Sequence, residues 1–252
     1  MRHDALLSAW RREEEQPFAG WDFAHLRGRM IEEQPPWSYA ARAAELLERS
    51  TAVLDMGTGG GERLLALRAH WPDKVAVTEG YAPNVALARE RLAPLGVRVI
   101  DVETSRQAAM PFADGEFDLV LNRHSSLNAG EVARILAPGG VFFTEQVDGR
   151  WAEDLMAVFG ARPQWPDANL DHEAGRLREA GLSIDRAEGW SGALTFTDVG
   201  AVVYYLHAVP WLVPGFTVAT HADALFALQS RLERGEPLAF AAGLYLLEAR
   251  KA

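Results

Sequence analysis

The chain has 252 residues, 48% of them apolar and 24% charged, a composition that can bury a globular core without metal or disulfide. It contains no cysteine, which excludes disulfides, thiolate zinc sites, cysteine nucleophiles and cysteine-held iron–sulfur clusters. Thirty-five acidic against twenty-five basic residues give a net charge of -10, a field that repels phosphate backbones on average and favours a small-molecule partner over nucleic acid.

The start, Met1-Arg2-His3-Asp4, runs into Arg11-Arg12-Glu13-Glu14-Glu15 without an apolar stretch of signal-peptide length. No later run approaches the ~18 apolar residues of a membrane span, so the expected location is cytoplasmic, with no membrane partner. Residues 1–50 read as an N-terminal helical cap. Ala5, Leu6, Leu7, Ala9 and Trp10 mark one amphipathic helix, and Pro17 and Gly20 stop it. The stretch from Trp21 to Trp37 is aromatic and proline-marked, and a second helix is expected from Ser38 to Arg49 with Ser38 as its cap.

Residues 51–190 change to an alternation of strand and helix. Strands are expected at 52–55, 74–79, 97–102, 117–121 and 140–147, and helices at 61–70, 83–92 and 129–136. Two further strands are expected at 184–190 and 244–249. Residues 191–240 form an aromatic insertion expected to act as a lid, and residues 241–252 carry the last strand. Alternation of this kind implies right-handed crossovers and a doubly wound α/β sheet, which takes its ligand beyond the carboxyl ends of its strands where strand order reverses.

The strongest chemical signal is Val53-Leu54-Asp55-Met56-Gly57-Thr58-Gly59-Gly60-Gly61-Glu62. Alternate glycines after a strand let the backbone turn tightly and approach a ligand. A dinucleotide fingerprint counted from Gly57 needs glycine at position 62, where Glu62 stands and its carboxylate would repel a pyrophosphate. No lysine follows the glycines, so a P-loop is excluded as well. Glu79 ends the next strand eighteen residues beyond Gly61, where an acid can accept from both hydroxyls of a ribose. Asp101 or Glu103, with Val102 between them, ends the third strand within reach of an adenine amino group. Adenine and ribose without pyrophosphate describe S-adenosylmethionine.

With these residues, the chain resembles the class I S-adenosylmethionine-dependent methyltransferases. The resemblance rests on residues 53–61, on Glu79, on Met110-Pro111-Phe112-Ala113-Asp114-Gly115-Glu116-Phe117-Asp118-Leu119-Val120, and on Ala133-Arg134-Ile135-Leu136-Ala137-Pro138-Gly139-Gly140-Val141-Phe142. It spans roughly residues 51–147. It implies a Rossmann-like methyltransferase fold: a mostly parallel, seven-stranded sheet with the last strand antiparallel, here with N-terminal helices and a helical insertion before that strand. It also implies cofactor contacts from Asp55, Gly57, Gly59, Gly61 and Glu79, and from the region Asp101, Val102 and Glu103. Arg106 and Gln107 stand where many relatives place an Asp-Ala pair, which leaves the adenine contact open among the last three.

On the acceptor side, Asn122-Arg123-His124-Ser125 follows the fourth strand and is expected at the sheet's carboxyl edge. His124 is the candidate general base, with local packing as the competing explanation. Glu145 and Gln146 end the fifth strand with similar standing. Tyr204, Tyr205, His207 and Trp211 are pocket candidates, although with Val202, Val203 and Leu206 they also have the spacing of a buried helix. Arg27 and Arg29, beside Trp21 and Phe23, are candidates to meet an anionic substrate or to be solvated. No metal is expected. Three readings follow: methyl transfer to an oxygen, nitrogen or carbon of a small molecule; RNA methylation, which needs a local basic patch; and a non-catalytic cofactor-binding or regulatory protein.

Overall fold

In a computed structural model, residues 2–18, 23–107 and 109–252 are described. The helices are α1 Arg2–Glu14, α2 Tyr39–Leu47, α3 Glu62–Ala66, α4 Ala82–Leu92, α5 Ala129–Ile135, α6 Glu153–Val158, α7 Leu170–Glu179, α8 Val199–Ala208 and α9 Ala222–Glu233. The strands are β1 Met30–Glu32, β2 Ala52–Met56, β3 Lys74–Glu79, β4 Arg98–Asp101, β5 Phe117–Arg123, β6 Leu136–Val147, β7 Leu182–Phe196 and β8 Leu238–Lys251. Their order in the sheet is β1-β7-β8-β6-β5-β2-β3-β4.

The chain divides into two compact units, the larger comprising Pro36–Val147, Ala168–Gly189 and Leu244–Ala252. Here β2 pairs in parallel with β3 and β5, and β3–β4 and β5–β6 are parallel too. β6 and β8 run antiparallel, with Phe142 opposite Ala249. Both faces of this sheet are covered, so its strands read as continuous apolar runs whose successive side chains enter different cores. Leu54, Val120 and Phe142 pack on one face with Val132 and Ile135 of α5 and Leu177 of α7. Val53, Leu119, Leu121 and Phe143 pack on the other with Ala43 and Leu47 of α2. Ser38 caps α2 as expected, its hydroxyl accepting from the Ala41 amide. Asp118 ties the start of β5 to the start of β2 by accepting from the Thr51 amide, the Thr51 hydroxyl and the Ala52 amide at 2.8, 2.6 and 3.0 Å.

The smaller unit comprises Met1–Pro35, Asp148–Asp167 and Trp190–Gly243. Its centre is α8, which is apolar nearly all round and therefore buried nearly all round. Trp10 of α1, Leu225 and Leu228 of α9 and Phe240 of β8 belong to the same core. β1 pairs antiparallel with the far end of β7, Met30 opposite Phe196. Arg29 joins Asp198, the cap of α8, to Glu13 of α1.

The expectation of seven mostly parallel strands is corrected: the sheet has eight strands and is mixed. β7 does not stop near residue 190 but alternates on to Phe196, and that extension recruits Met30–Glu32 as an additional edge strand. Among the described residues, no helix is long and apolar enough to cross a membrane. Asp118→Ala should lower stability by about 2 kcal/mol in urea unfolding, since three main-chain and hydroxyl donors lose a charged acceptor; an unchanged midpoint would show that this brace contributes nothing.

Candidate functional site

β2 lies at the switch point of the larger unit, since the chain proceeds from it to β3 and β4 on one side and then to β5 and β6 on the other. The loop after β2 turns through left-handed glycines. At Gly57, φ is +67° and a Cβ would lie 2.3 Å from the Ser125 hydroxyl, so a side chain there would displace the loop after β5. Gly59, at φ +64°, has nothing within 4 Å of its Cβ position and so faces open space. Gly61 caps α3, and Glu62 beside it is turned outward to pair with Arg91.

Glu79 is buried at the end of β3, and three main-chain amides fix its carboxylate. Oε2 accepts from Gly59 at 2.8 Å, and Oε1 from Gly80 at 3.0 Å and Tyr81 at 2.9 Å. The acid therefore locks the loop after β2 to the turn after β3. Burial pushes Asp55 up to about 6, and the charge of Glu79 adds to this. Asp101 is register-paired with Glu79 but exposed, 3.7 Å from Arg89. The Val102 amide donates to the Glu79 carbonyl at 3.0 Å. Glu103 runs so close to Gly80 that a Cβ there would meet its Cα at 2.6 Å. All the residues expected on the cofactor side thus gather at one edge of the sheet.

The ends of β5 and β6 carry a second cluster. The Asn122 side chain is fully buried; its Oδ1 accepts from the Thr144 hydroxyl at 3.0 Å and from Gln146. Its Nδ2 has no partner among the described residues. Ser125 exchanges a 2.9 Å hydrogen bond with Thr104, linking the loops after β5 and β4. Glu145 is a buried carboxylate with one oxygen on Arg123 Nε and the other on the Trp37 indole N–H, both at 2.7 Å. His124, in the left-handed region at φ +53°, holds Nε2 3.6 Å from the same carboxylate. Burial, and then the charges of Arg123 and Arg63, lower its pKa and keep the ring neutral. Tyr39 stacks on Phe143 at 4.8 Å and donates to the Asn122 carbonyl at 3.3 Å. Sequence reasoning gives Trp37 and Tyr39 no role in this cluster; the signal was their alternation through Trp37-Ser38-Tyr39 directly before α2.

The remaining candidates belong to the smaller unit. Tyr204 and Tyr205 are buried in its core, Tyr204 against His25 at 4.5 Å and Tyr205 accepting from the Trp151 indole at 2.9 Å. His207 is exposed on α8, Trp211 is exposed beyond it, and Arg27 is exposed near β1. The Arg29 guanidinium is taken up by Asp198 and Glu13. Trp21 lies outside the described residues.

The raised pKa of Asp55 has a definite sign. Between its ordinary 3.8 and about 6 the folded chain binds the proton more tightly than the unfolded chain, so this group's contribution to stability falls as pH rises through that window. Asp55→Asn should therefore raise the thermal midpoint relative to wild type more at pH 7.5 than at pH 4; an equal difference at both would place an ordinary carboxylate there.

A family profile described as a methyltransferase domain matches residues 53–140, which contain both clusters except Trp37, Tyr39 and the end of β6. Demethylmenaquinone methyltransferase of Thermus thermophilus is 33% identical over 112 residues, covering 41% of this chain and 50% of that protein, so the chain spans about half of its length. Ribosomal RNA small subunit methyltransferase G of Acidothermus cellulolyticus is 31% identical over 159 residues, covering 58% of this chain and 70% of that one. An S-adenosylmethionine-dependent methyltransferase from Mesorhizobium loti has a similar fold, with a TM-score of 0.51 at 18% identity over 84% of this chain and 97% of that chain. Glycine loop, strand-ending acid, strand order and these relatives agree, and the chain belongs to the class I S-adenosylmethionine-dependent methyltransferases.

Proposed function

We propose that the chain transfers a methyl group from S-adenosylmethionine to an oxygen, nitrogen or carbon nucleophile of a small-molecule acceptor. The observation that carries this reading is the buried Glu79 carboxylate, aimed by three amides beside a loop whose Gly59 faces open space. That cradle fits a nucleoside without phosphates. Asp55, Gly57, Gly59, Gly61 and Glu79 would hold the cofactor, with Asp101, Val102 and Glu103 at its adenine end. Three of the four lone-pair sites of the Glu79 carboxylate take main-chain amides, and Oε2, with one donor, keeps capacity for a ribose hydroxyl. The cofactor brings a methyl carbon already activated on sulfonium sulfur, so the task left to the protein is alignment and exclusion of water. His124, neutral and turned toward Glu145, is the residue for a proton or hydrogen bond at the acceptor atom.

A small acceptor is supported by the charge of -10 and by the demethylmenaquinone relative. The ribosomal RNA relative favours a second reading, in which the acceptor is RNA. Labelled-methyl transfer from S-adenosylmethionine to a metabolite extract and to bulk RNA decides between them; label in the RNA alone would reverse the assignment, and calorimetric binding without transfer to either would leave a cofactor-binding protein. Glu79→Ala should weaken the cofactor Kd tenfold or more, in line with the ~1.5–3 kcal/mol of a hydrogen bond to a charged group. An unchanged Kd would remove Glu79 from the site. His124→Ala should reduce turnover more than cofactor affinity, and normal turnover would clear it of a catalytic part.

A further inference from the structure

We propose that Arg123 is a specificity-determining residue that recognises a carboxylate on the acceptor. The inference rests on the methyl-transfer reading above and names its acceptor class. A guanidinium has five N–H donors in a rigid fork. Arg123 uses one of them: Nε donates to Glu145 Oε1 at 2.7 Å, and among the described residues neither terminal nitrogen has a hydrogen-bond partner. The side chain is 22% exposed, which leaves those donors open to a ligand. Its partner cannot swing to take them up. The Glu145 side chain is 5% exposed, and its other oxygen is held at 2.7 Å by the Trp37 indole.

The unused edge of the fork matches two oxygens of a planar carboxylate. Two further observations favour a monoanion over a phosphate. Glu145 already neutralises much of the charge of Arg123, so a dianion would meet a net repulsion from that buried carboxylate. His124 beside it is held neutral and adds no positive charge.

The test uses the full chain saturated with S-adenosylhomocysteine, titrated at constant ionic strength with benzoate, benzamide and inorganic phosphate. Benzoate should bind at least tenfold more tightly than benzamide and more tightly than phosphate. Arg123→Gln should bring benzoate and benzamide within twofold of each other while leaving S-adenosylhomocysteine affinity within twofold of wild type. Arg123→Lys, which keeps the charge but not the fork, should retain only part of the preference, and it replaces the glutamine variant if that one does not fold. Equal binding of benzoate and benzamide by wild type, tighter binding of phosphate, or a preference that survives in both variants overturns the proposal. Absence of S-adenosylhomocysteine binding is a separate result: it removes the methyl-transfer reading, and the same titrations without it still decide what Arg123 recognises.

Discussion

The geometry of the sheet's carboxyl edge depends on one buried carboxylate. Glu79 accepts from an amide of the loop after β2 and from two amides of the turn after β3, so two glycine-containing segments that would otherwise be independent move as one. A buried carboxylate is tolerable only with such donors, and the donors in turn need glycines that let main chain approach closely. The contact of Gly57 with Ser125 and of Gly80 with Glu103 extends the same coupling to the loops after β5 and β4. Four strand ends are thereby held in one arrangement.

A second carboxylate, Glu145, organises the end of β6 in a different way. Its donors are side chains, an indole and a guanidinium, rather than main-chain amides. Main-chain donors are available in any sequence that adopts the backbone, whereas an indole and a guanidinium have to be supplied by particular residues, here Trp37 and Arg123. Asp118 performs the purely structural version of the same task at the opposite end of the strands, binding Thr51 and Ala52.

Much of this was legible in the sequence because local pattern and global fold agree. Short apolar runs, Ala52 to Leu54, Val75 to Val77, Leu119 to Leu121 and Val141 to Phe143, located β2, β3, β5 and β6, and Ser38 announced α2. The tight turn through Gly57 and Gly59 and the position of Glu79 at the end of β3 followed from residue type and spacing alone. What was not legible is equally physical. β1 is three residues long and exists because β7 offers it an edge, a pairing that no local period reports. The apolar content of α8 marked burial without saying against what, so Tyr204 and Tyr205 read as pocket candidates although packing accounts for them. Trp37 meets Glu145 across 108 positions of chain, a distance at which periodicity carries no information.

The alternation of side chains between two cores has a consequence for how the central strands tolerate change. Leu119, Val120 and Leu121 go to opposite faces in turn, and so do Phe142 and Phe143 on the neighbouring strand. Exchanging one apolar residue for another of similar volume disturbs one layer slightly. Deleting a single residue from β5 transposes every later side chain to the wrong layer and carries Asn122 and Arg123 to opposite sides of the edge they now serve. Length, more than composition, is the quantity these strands must conserve.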